Sequence, residues 1–502
     1  MLWISAHVQN YAAFFVPIPD CDEVFNYWDP VHFLVYGKGQ EPWEYSPDYA
    51  LRSYLYLLLH AWPAYILKLF GLSGLPVFYT LRTLIGFFSA YCKHVLIKEL
   101  NLPNTFYFAM ILSTGMVMAS HTFIPSAFVM NLLMLAFTYF LKFYKTNSYF
   151  YLFLALLCCS FFMIVGWPFA AVIPAAFVVP YLIQYPKFLL DYKLYVLGIA
   201  AVLFTTIPSV IIDTYFYGKP VFGIWNLFKY NTSIGSSLVG SSVLFGVDPW
   251  YFYIVNLFLN FNIIFLCFLL SPLLLIYSYI AKKFVPSFRF LIALCTCSVA
   301  WFLLLSSQPH KEERFMYPIY SGIIILGCYV INSIPYKYLK FMIFGVFLLI
   351  SFSRTAHLVR SYNAPLKIWS EKLDGRVCVG REWYRFPSSF FLGSADLFYI
   401  KHRAAGILPV QFKSTDFVPE NMNDLNREEP SRYVDINSCD YIVDINLESD
   451  PIDIEFRNWT VIRSETFLDS KSTKQPFRSF YLPFIQKEVL GSYLLMKNPI
   501  IN

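Results

Sequence analysis

The chain has 502 residues, of which 57% are hydrophobic and only 14% are charged, whereas soluble globular proteins carry about 25% charged residues. This composition excludes an ordinary soluble domain and indicates a protein embedded in lipid. The net charge of +6 is small for this length, and because the chain has no block of basic residues, no nucleic-acid partner is expected.

The first apolar segment covers residues 2–16 and contains His7, Gln9 and Asn10. No basic region precedes it, so it differs from a cleaved signal peptide. A membrane span needs about 20 apolar residues. The segment is therefore either a thin first span or a span that lacks a few residues upstream.

A series of long apolar segments follows, each long enough or nearly long enough to cross the ~30 Å hydrocarbon core as a helix. They are 74–98, 104–124, 126–145, 148–166, 168–186, 193–212, 250–281, 286–306, 315–333 and 338–357. With the first segment, they predict an all-α polytopic membrane protein with about eleven transmembrane helices.

The apolar segment 51–70 is ambiguous because it also carries Arg52 and Lys68. If it lies in the interface, the basic residues between the other spans collect on one side of the membrane, as the positive-inside rule requires. The glycosylation sequons at Asn231 and Asn458 then both face the lumen. We therefore predict an amphipathic interfacial helix over 51–70, a cytosolic amino end and a luminal carboxyl end.

This topology predicts two domains. Residues 1–357 form the transmembrane domain, in which 17–74 is a first luminal loop with interfacial helices, and 213–249 is a second luminal loop. Residues 358–502 form a luminal domain of mixed α/β structure, since strand-like runs occur there between turn-rich stretches. Those runs begin at Arg376 and Tyr441.

Two cysteines, Cys378 and Cys439, lie in this tail. They could pair in an oxidising lumen, although their spacing does not decide it. The cysteines inside the apolar runs are interpreted as small core residues. No cysteine or histidine spacing is typical of a metal site.

An acidic motif, Asp20-Cys-Asp-Glu-Val-Phe-Asn-Tyr-Trp-Asp-Pro, directly follows the first span. Carboxylates beside a low-dielectric surface have raised pKa values and can accept a proton from a hydroxyl. The rings of Tyr27 and Trp28 suit the apolar face of a sugar. The alternative is a helix cap with solvated acids, but ionisable residues at a membrane face favour a functional role. Further along, Glu44, Tyr45 and Arg52 either shape this site or anchor the loop.

A basic motif, Gln308-Pro-His-Lys-Glu-Glu-Arg-Phe, lies between two spans on the predicted luminal side. If it is helical, His310 and Arg314 share a face. Together with Lys311 they suit a lipid phosphate, Arg314 through a bidentate fork. The alternative is a self-neutralising loop, because Glu312 and Glu313 offset the charges of Lys311 and Arg314.

These two motifs resemble glycosyltransferase family 22, the branch of GT-C membrane enzymes that uses dolichyl phosphate mannose. The acidic motif, Tyr54-Leu-Tyr-Leu-Leu-Leu-His-Ala-Trp-Pro, Pro249-Trp-Tyr-Phe-Tyr and Val379-Gly-Arg-Glu-Trp-Tyr-Arg-Phe-Pro-Ser-Ser are similar to the α-1,2-mannosyltransferases that extend the N-glycan precursor. The chain departs from the family pattern at Asp29, where the family usually has Glu.

The resemblance implies transfer of mannose from dolichyl β-D-mannosyl phosphate to dolichyl-pyrophosphate oligosaccharides carrying six or eight mannoses. Inversion from a β donor to an α product needs one base, which the resemblance assigns to Asp22, with Glu23 as the rival. His310, Lys311 and Arg314 would bind the donor phosphate, so no metal or other cofactor is expected. The enzyme would act in the endoplasmic reticulum membrane, among its lipids. Substrate contacts are expected from Tyr27, Trp28, Glu44, Tyr45, Arg52 and Trp383.

Three alternatives compete with this function. A GPI-anchor mannosyltransferase of the same family is disfavoured by the first-loop residues. A lipid or sugar transporter without chemistry would place ionisable residues near the bilayer midplane, often with internal repeats, neither of which the sequence has. A non-catalytic subunit would not need acidic and basic motifs on the same predicted side.

Overall fold

The structure, a computed structural model, describes residues 1–232, 246–284, 287–456, 458–485 and 487–499. Residues 233–245 of the predicted loop 213–249, which include the last residue of the Asn231 sequon, lie outside this part. The α-helices are α1 (Leu2–Phe15), α2 (Cys21–Glu23), α3 (Asp29–Tyr36), α4 (Tyr54–Leu69), α5 (Leu75–Glu99), α6 (Asn104–Leu112), α7 (Thr114–Ala119), α8 (Pro125–Thr146), α9 (Tyr149–Phe161), α10 (Val172–Gln184), α11 (Tyr192–Tyr217), α12 (Gly223–Asn231), α13 (Phe252–Ile280), α14 (Phe288–Ser306), α15 (Tyr320–Ser333), α16 (Lys337–Tyr362) and α17 (Ala364–Ile368).

Seven helical segments of the described residues are long and apolar enough to cross a membrane. They are Pro125–Thr146, Tyr149–Gly166, Tyr192–Tyr217, Phe252–Ile280, Phe288–Ser306, Glu313–Ser333 and Lys337–Tyr362. A shorter apolar helical segment covers Pro168–Gln184. The chain is thus a multi-pass membrane protein, and the prediction of about eleven spans stays a prediction.

One predicted span differs from the structure. The segment 104–124 is interrupted at Ser113, which has extended dihedrals between α6 and α7. Gly115, just after the break, lies so close to the rings of Phe261 and Tyr320 that a Cβ there would be 2.7 Å from Phe261. The backbone just after the break therefore packs directly against these two rings, which apolar composition alone does not show.

The chain divides into two compact units. The first comprises Met1–Ala12, Thr83–Thr214 and Phe222–Phe352, and the second comprises Ala13–Arg82, Tyr215–Val221 and Ser353–Asn502. In the first unit, α8 packs against α9, α10 against α14, and α13 against α15. The predicted domain boundary between residues 357 and 358 stays a prediction.

The second unit contains the β-structure. Its strands are β1 (Gln40–Glu41), β2 (Arg376–Val379), β3 (Asp396–Tyr399), β4 (Val410–Gln411), β5 (Tyr441–Asn446), β6 (Thr460–Leu468) and β7 (Leu490–Lys497). Five strands form a sheet in the order β3-β2-β5-β7-β6, and β1 pairs with β4. β2 is parallel to β3 and β5, whereas β7 is antiparallel to both β5 and β6. The strand-like runs predicted at Arg376 and Tyr441 are thus confirmed as β2 and β5.

A disulfide joins Cys378 in β2 to Cys439 just before β5. Both half-cystines belong to a buried cluster with Ile442, Phe456 and Met496. The pairing that the sequence left open is therefore present, and it lies in the core of the sheet.

The segment 51–70 is helical as expected, as α4. Its amino end is capped by Ser53, whose hydroxyl accepts a hydrogen bond from the Leu55 backbone amide at 3.2 Å. One face buries Tyr54, Leu57, Ala61 and Ala64, and the other exposes Trp62, Tyr65 and Leu69. The exposed residues give α4 an apolar outer surface, and its position in the membrane interface stays a prediction.

Candidate active site

The acidic motif lies near the start of the second unit and forms a short, irregular helical segment. Asp20 caps α2, since its Oδ1 accepts a hydrogen bond from the Asp22 backbone amide at 2.9 Å. Residues Val24–Trp28 continue as a π-helical turn before α3 begins. Turns of this kind occur often at functional sites. The helix cap that the alternative interpretation expected therefore exists, and Asp20 forms it.

The two candidate bases lie in different environments. Asp22 is partly exposed, whereas Glu23 is only 1% exposed. The indole N–H of Trp28 donates to Glu23 Oε1 at 3.0 Å. Trp28 itself is fully buried and packs on Phe78, with the ring centres 4.6 Å apart. In this structure Trp28 holds Glu23, and its predicted substrate contact stays a prediction.

The structure brings three predicted site residues of the first loop together. Arg52 pairs with Glu44, with Nη2 and Oε1 2.6 Å apart, and its guanidinium lies 5.9 Å from the ring centre of Tyr27. Burial raises the pKa of Glu44, Arg52 counteracts that shift, and the nearby charge of Asp22 raises this pKa further. Asp22 is therefore within electrostatic range of both Glu44 and Arg52, although 22 residues separate Glu44 from Asp22 in the chain.

Two further predicted contact residues take different positions. Tyr45 is fully buried, and its hydroxyl donates to the carbonyl of Asn26 at 2.7 Å, so it supports the π-helical turn. Trp383 is half-buried and its ring lies 5.8 Å from that of Phe25. Trp383 thus joins the C-terminal part of this unit to the acidic motif.

The basic motif lies in the first unit and is not helical where the sequence argument required it. Residues 307–312 form turns and extended backbone, and a 3₁₀ helix starts at Glu313. Instead, Glu312 connects the side chains of His310 and Arg314. Its Oε1 is 2.8 Å from Nε2 of His310, and its Oε2 contacts Nε of Arg314. The hydrogen bond with Glu312 raises the pKa of His310, which favours the imidazolium.

Lys311 and Glu313 have separate partners. The Lys311 side chain is 5% exposed and its ammonium donates to the Asp248 carbonyl at 3.0 Å. Glu313 accepts hydrogen bonds from the amides of Asn256 and Asn260, at 2.8 and 3.0 Å. Glu312 therefore pairs with Arg314 as the alternative interpretation expected, whereas Glu313 is held by α13.

Sequence reasoning missed several residues that support these sites. Asn256 and Asn260 are four residues apart in an otherwise apolar helix, and that spacing was a readable signal. Asp29 had no such signal for its role. It is fully buried and accepts hydrogen bonds from the Ser389 amide and hydroxyl, at 2.8 and 2.9 Å. Burial raises the pKa of Asp29 to about 6.

One group of potential metal ligands occurs among the described residues. Ligand atoms of Asp20, Cys21 and Asp22 lie within 4.8 Å of one another. Hard divalent cations prefer oxygen ligands and higher coordination numbers, so this group by itself is an incomplete site. The expectation of a metal-free enzyme stays a prediction.

Comparisons with known proteins agree with the motifs. Residues 1–393 match the model of the Alg9-like mannosyltransferase family. The chain is 36% identical to alpha-1,2-mannosyltransferase ALG9 of Mus musculus, over 97% of this chain and 86% of the relative. It is 32% identical to alpha-1,2-mannosyltransferase alg9 of Schizosaccharomyces pombe, over 99% and 94%.

Among solved structures, the fold is similar to ArnT from Cupriavidus metallidurans bound to undecaprenyl phosphate. The TM-score is 0.56 at 11% identity, over 98% of this chain and 96% of ArnT. At this identity the likeness concerns the fold alone, which is therefore of the GT-C type.

Proposed function

The chain belongs to the Alg9-like mannosyltransferase family, and from that premise we propose that it is an α-1,2-mannosyltransferase of N-glycan precursor assembly. The donor is dolichyl β-D-mannosyl phosphate. The acceptors are dolichyl-pyrophosphate oligosaccharides that carry two N-acetylglucosamines and six or eight mannoses. The reaction inverts the donor anomer and takes place on the luminal side of the endoplasmic reticulum membrane.

The observation that carries this proposal is the group of Asp22, Glu44 and Arg52 in a chain of this family. Inversion in one displacement needs one base within hydrogen-bond reach of the acceptor hydroxyl. Asp22 is partly exposed, whereas Glu23 is buried and accepts the Trp28 indole. These environments support Asp22 as the base and Glu23 as a positioning residue.

In the proposed step, the Asp22 carboxylate takes the proton of the acceptor 2-hydroxyl. The hydroxyl oxygen attacks the anomeric carbon of the donor mannose. The bond between that carbon and the phosphate oxygen breaks, and its electron pair leaves with dolichyl phosphate. Glu44 and Arg52 fix the charge around Asp22, since Arg52 offsets the added negative charge of Glu44.

The leaving phosphate requires positive charge, which we assign to His310 and Arg314. The hydrogen bond with Glu312 raises the pKa of His310 and so favours its cationic form. A guanidinium carries five donors in a rigid fork that matches phosphate oxygens, and Glu312 engages the Nε of Arg314. Lys311 contributes charge from its buried position.

We expect the reaction to proceed without a metal ion, because the leaving group is a lipid monophosphate and cationic side chains are present. Transfer after dialysis against a chelator is the direct test. Loss of transfer that Mn²⁺ or Mg²⁺ restores would contradict the expectation and point to Asp20, Cys21 and Asp22, whose ligand atoms lie together.

The decisive experiment uses purified protein, labelled dolichyl mannosyl phosphate and the six-mannose lipid-linked acceptor. We expect one labelled mannose that an α-1,2-specific mannosidase releases. The Asp22→Asn variant serves as the matched control for contaminating activity. Transfer to a GPI-anchor precursor instead of this acceptor, or no transfer at all, would overturn the proposal.

A further inference from the structure

A small open pocket of about 190 Å³ lies at one edge of the five-stranded sheet in the second unit. β2, β5 and β6 point in the same direction, and the pocket is lined by segments at or just after their carboxyl ends: 381–385, 445–450 and 469–471. In α/β sheets this edge is where ligands usually bind. This volume is smaller than that of typical drug-sized ligand sites, so the pocket suits a single small ligand group.

The charges that line the pocket are balanced. Three cationic and three anionic side chains face it: Arg381, Arg385, Lys471, Glu382, Asp450 and Asp469. A site for a phosphate or another anion would carry an excess of cations, and a cation site would carry an excess of carboxylates. Balanced donors and acceptors instead suit a neutral ligand with many hydroxyl groups.

The polar side chains are held in place before any ligand binds. Arg381, which is 8% exposed, donates through Nε to Asp444 at 2.8 Å and pairs through Nη1 with Asp450 at 2.6 Å. Arg385 Nη1 lies 2.7 Å from both carboxylate oxygens of the buried Glu382. Because these groups are already ordered, little conformational entropy is lost when they bind a ligand.

The pocket lining also includes one aromatic side chain, and the residue before it contacts the acidic motif. Tyr384 is 42% exposed, and the guanidinium of Arg385 stacks on its ring at 4.5 Å. The preceding residue, Trp383, contacts Phe25, two residues after Glu23. The pocket and the proposed base are therefore parts of the same compact unit, connected through adjacent residues.

We propose that this pocket binds one hexose of the acceptor oligosaccharide away from the reacting hydroxyl. This inference rests on the proposed function and names a second contact for the same acceptor. The guanidinium groups and carboxylates that line the pocket bind sugar hydroxyls. The ring of Tyr384 stacks on the apolar face of a pyranose. Such a contact allows acceptors with different reacting arms to be held by a shared part of the glycan.

The test compares Tyr384→Ala with Tyr384→Phe, which retains the ring. Phe484→Ala, which removes a fully exposed ring elsewhere in the same unit, is the matched control. We expect Tyr384→Ala to raise the KM for the lipid-linked acceptor about tenfold, corresponding to about 1.4 kcal/mol. The KM for the donor and kcat should stay within twofold, and Tyr384→Phe and Phe484→Ala should behave as the wild type.

A second measurement does not depend on catalysis. Saturation-transfer NMR on the purified full chain with the free six-mannose glycan, released from its lipid, should detect binding that Tyr384→Ala abolishes. If the wild type binds this glycan but transfers no mannose, the proposed function fails and the pocket assignment stands. Unchanged acceptor KM in Tyr384→Ala, or no saturation transfer from the wild type, would overturn the pocket assignment.

Discussion

At the residue scale, two adjacent carboxylates have unequal environments. Asp22 is partly exposed next to Glu44 and Arg52, and Glu23 is enclosed with the Trp28 indole. Replacing Asp22 with Asn keeps the shape and removes the base, so we expect kcat to fall by about 10²–10⁴-fold with acceptor KM largely kept. Glu23→Gln retains an oxygen for the indole and should affect KM more than kcat. Near-normal turnover in Asp22→Asn with inactive Glu23→Gln would reverse the assignment.

The proposed phosphate site gives a second residue-scale prediction. Arg314→Ala should raise the donor KM strongly, because charge-assisted hydrogen bonds are about twice as strong as neutral ones. Arg314→Lys keeps the charge but loses the planar fork, so it should recover only part of the affinity. Donor titrations at saturating acceptor measure both. Donor kinetics like those of the wild type in both variants would assign Arg314 a structural role, to which its pair with Glu312 contributes.

Glu41 predicts a pH dependence of stability. Its side chain is 1% exposed and neither carboxyl oxygen has a hydrogen-bond partner among the described residues. Burial raises the pKa of Glu41 to about 8 from a reference of 4.5. Between these values the unfolded state is ionised and the folded state keeps the proton. The folded state therefore loses stability as pH rises from about 4.5 to about 8.

Glu41→Gln removes this titration without changing the shape. We expect the Tm of this variant to exceed that of the wild type by a margin that grows from pH 5 to pH 8 and then levels off. Thermal unfolding in detergent, followed at several pH values, measures it. Glu448→Gln, at an exposed position in the same unit, is the control. A constant Tm difference across this pH range would contradict the prediction.

At the scale of elements, the disulfide joins β2 to the start of β5 across 61 residues. Closing a loop of this length restricts the unfolded chain and contributes about 4 kcal/mol in the chain-entropy model. The double variant Cys378→Ala/Cys439→Ala should therefore lower the Tm of the sheet region by several degrees. Limited proteolysis of residues 376–497 against temperature reports on this region separately from the helices. Cys21→Ala, outside the sheet, is the control, and equal protease resistance in both variants would contradict the prediction.

At the scale of the whole molecule, the arrangement of basic residues predicts a cytosolic amino end and a luminal carboxyl end. In sealed microsomes, protease added outside should leave a C-terminal epitope intact and should remove it after detergent is added. N-glycosylation of Asn458 would agree with this topology, and a lack of glycosylation there would not contradict it. Digestion of the tail in intact microsomes would overturn it.

The sequence by itself indicated a multi-pass membrane protein, the positions of the seven span-length apolar helical segments among the described residues, and the family. These properties follow from local composition, because a membrane span needs only a run of about 20 apolar residues and the acidic motif is contiguous. The runs at β2 and β5 were readable for the same reason. The break at Ser113 was not readable, because the chain beside it packs against Phe261 and Tyr320, which are distant in the sequence.

Only the tertiary structure decided which side chains act together. Asp22 lies in the field of Glu44 and Arg52, Glu312 rather than a shared helical face joins His310 to Arg314, and Asp29 binds Ser389 from 360 residues away. Such pairs depend on how distant segments pack. A buried carboxylate must find donors wherever the fold supplies them, and the periodicity of a single segment carries no information about those donors.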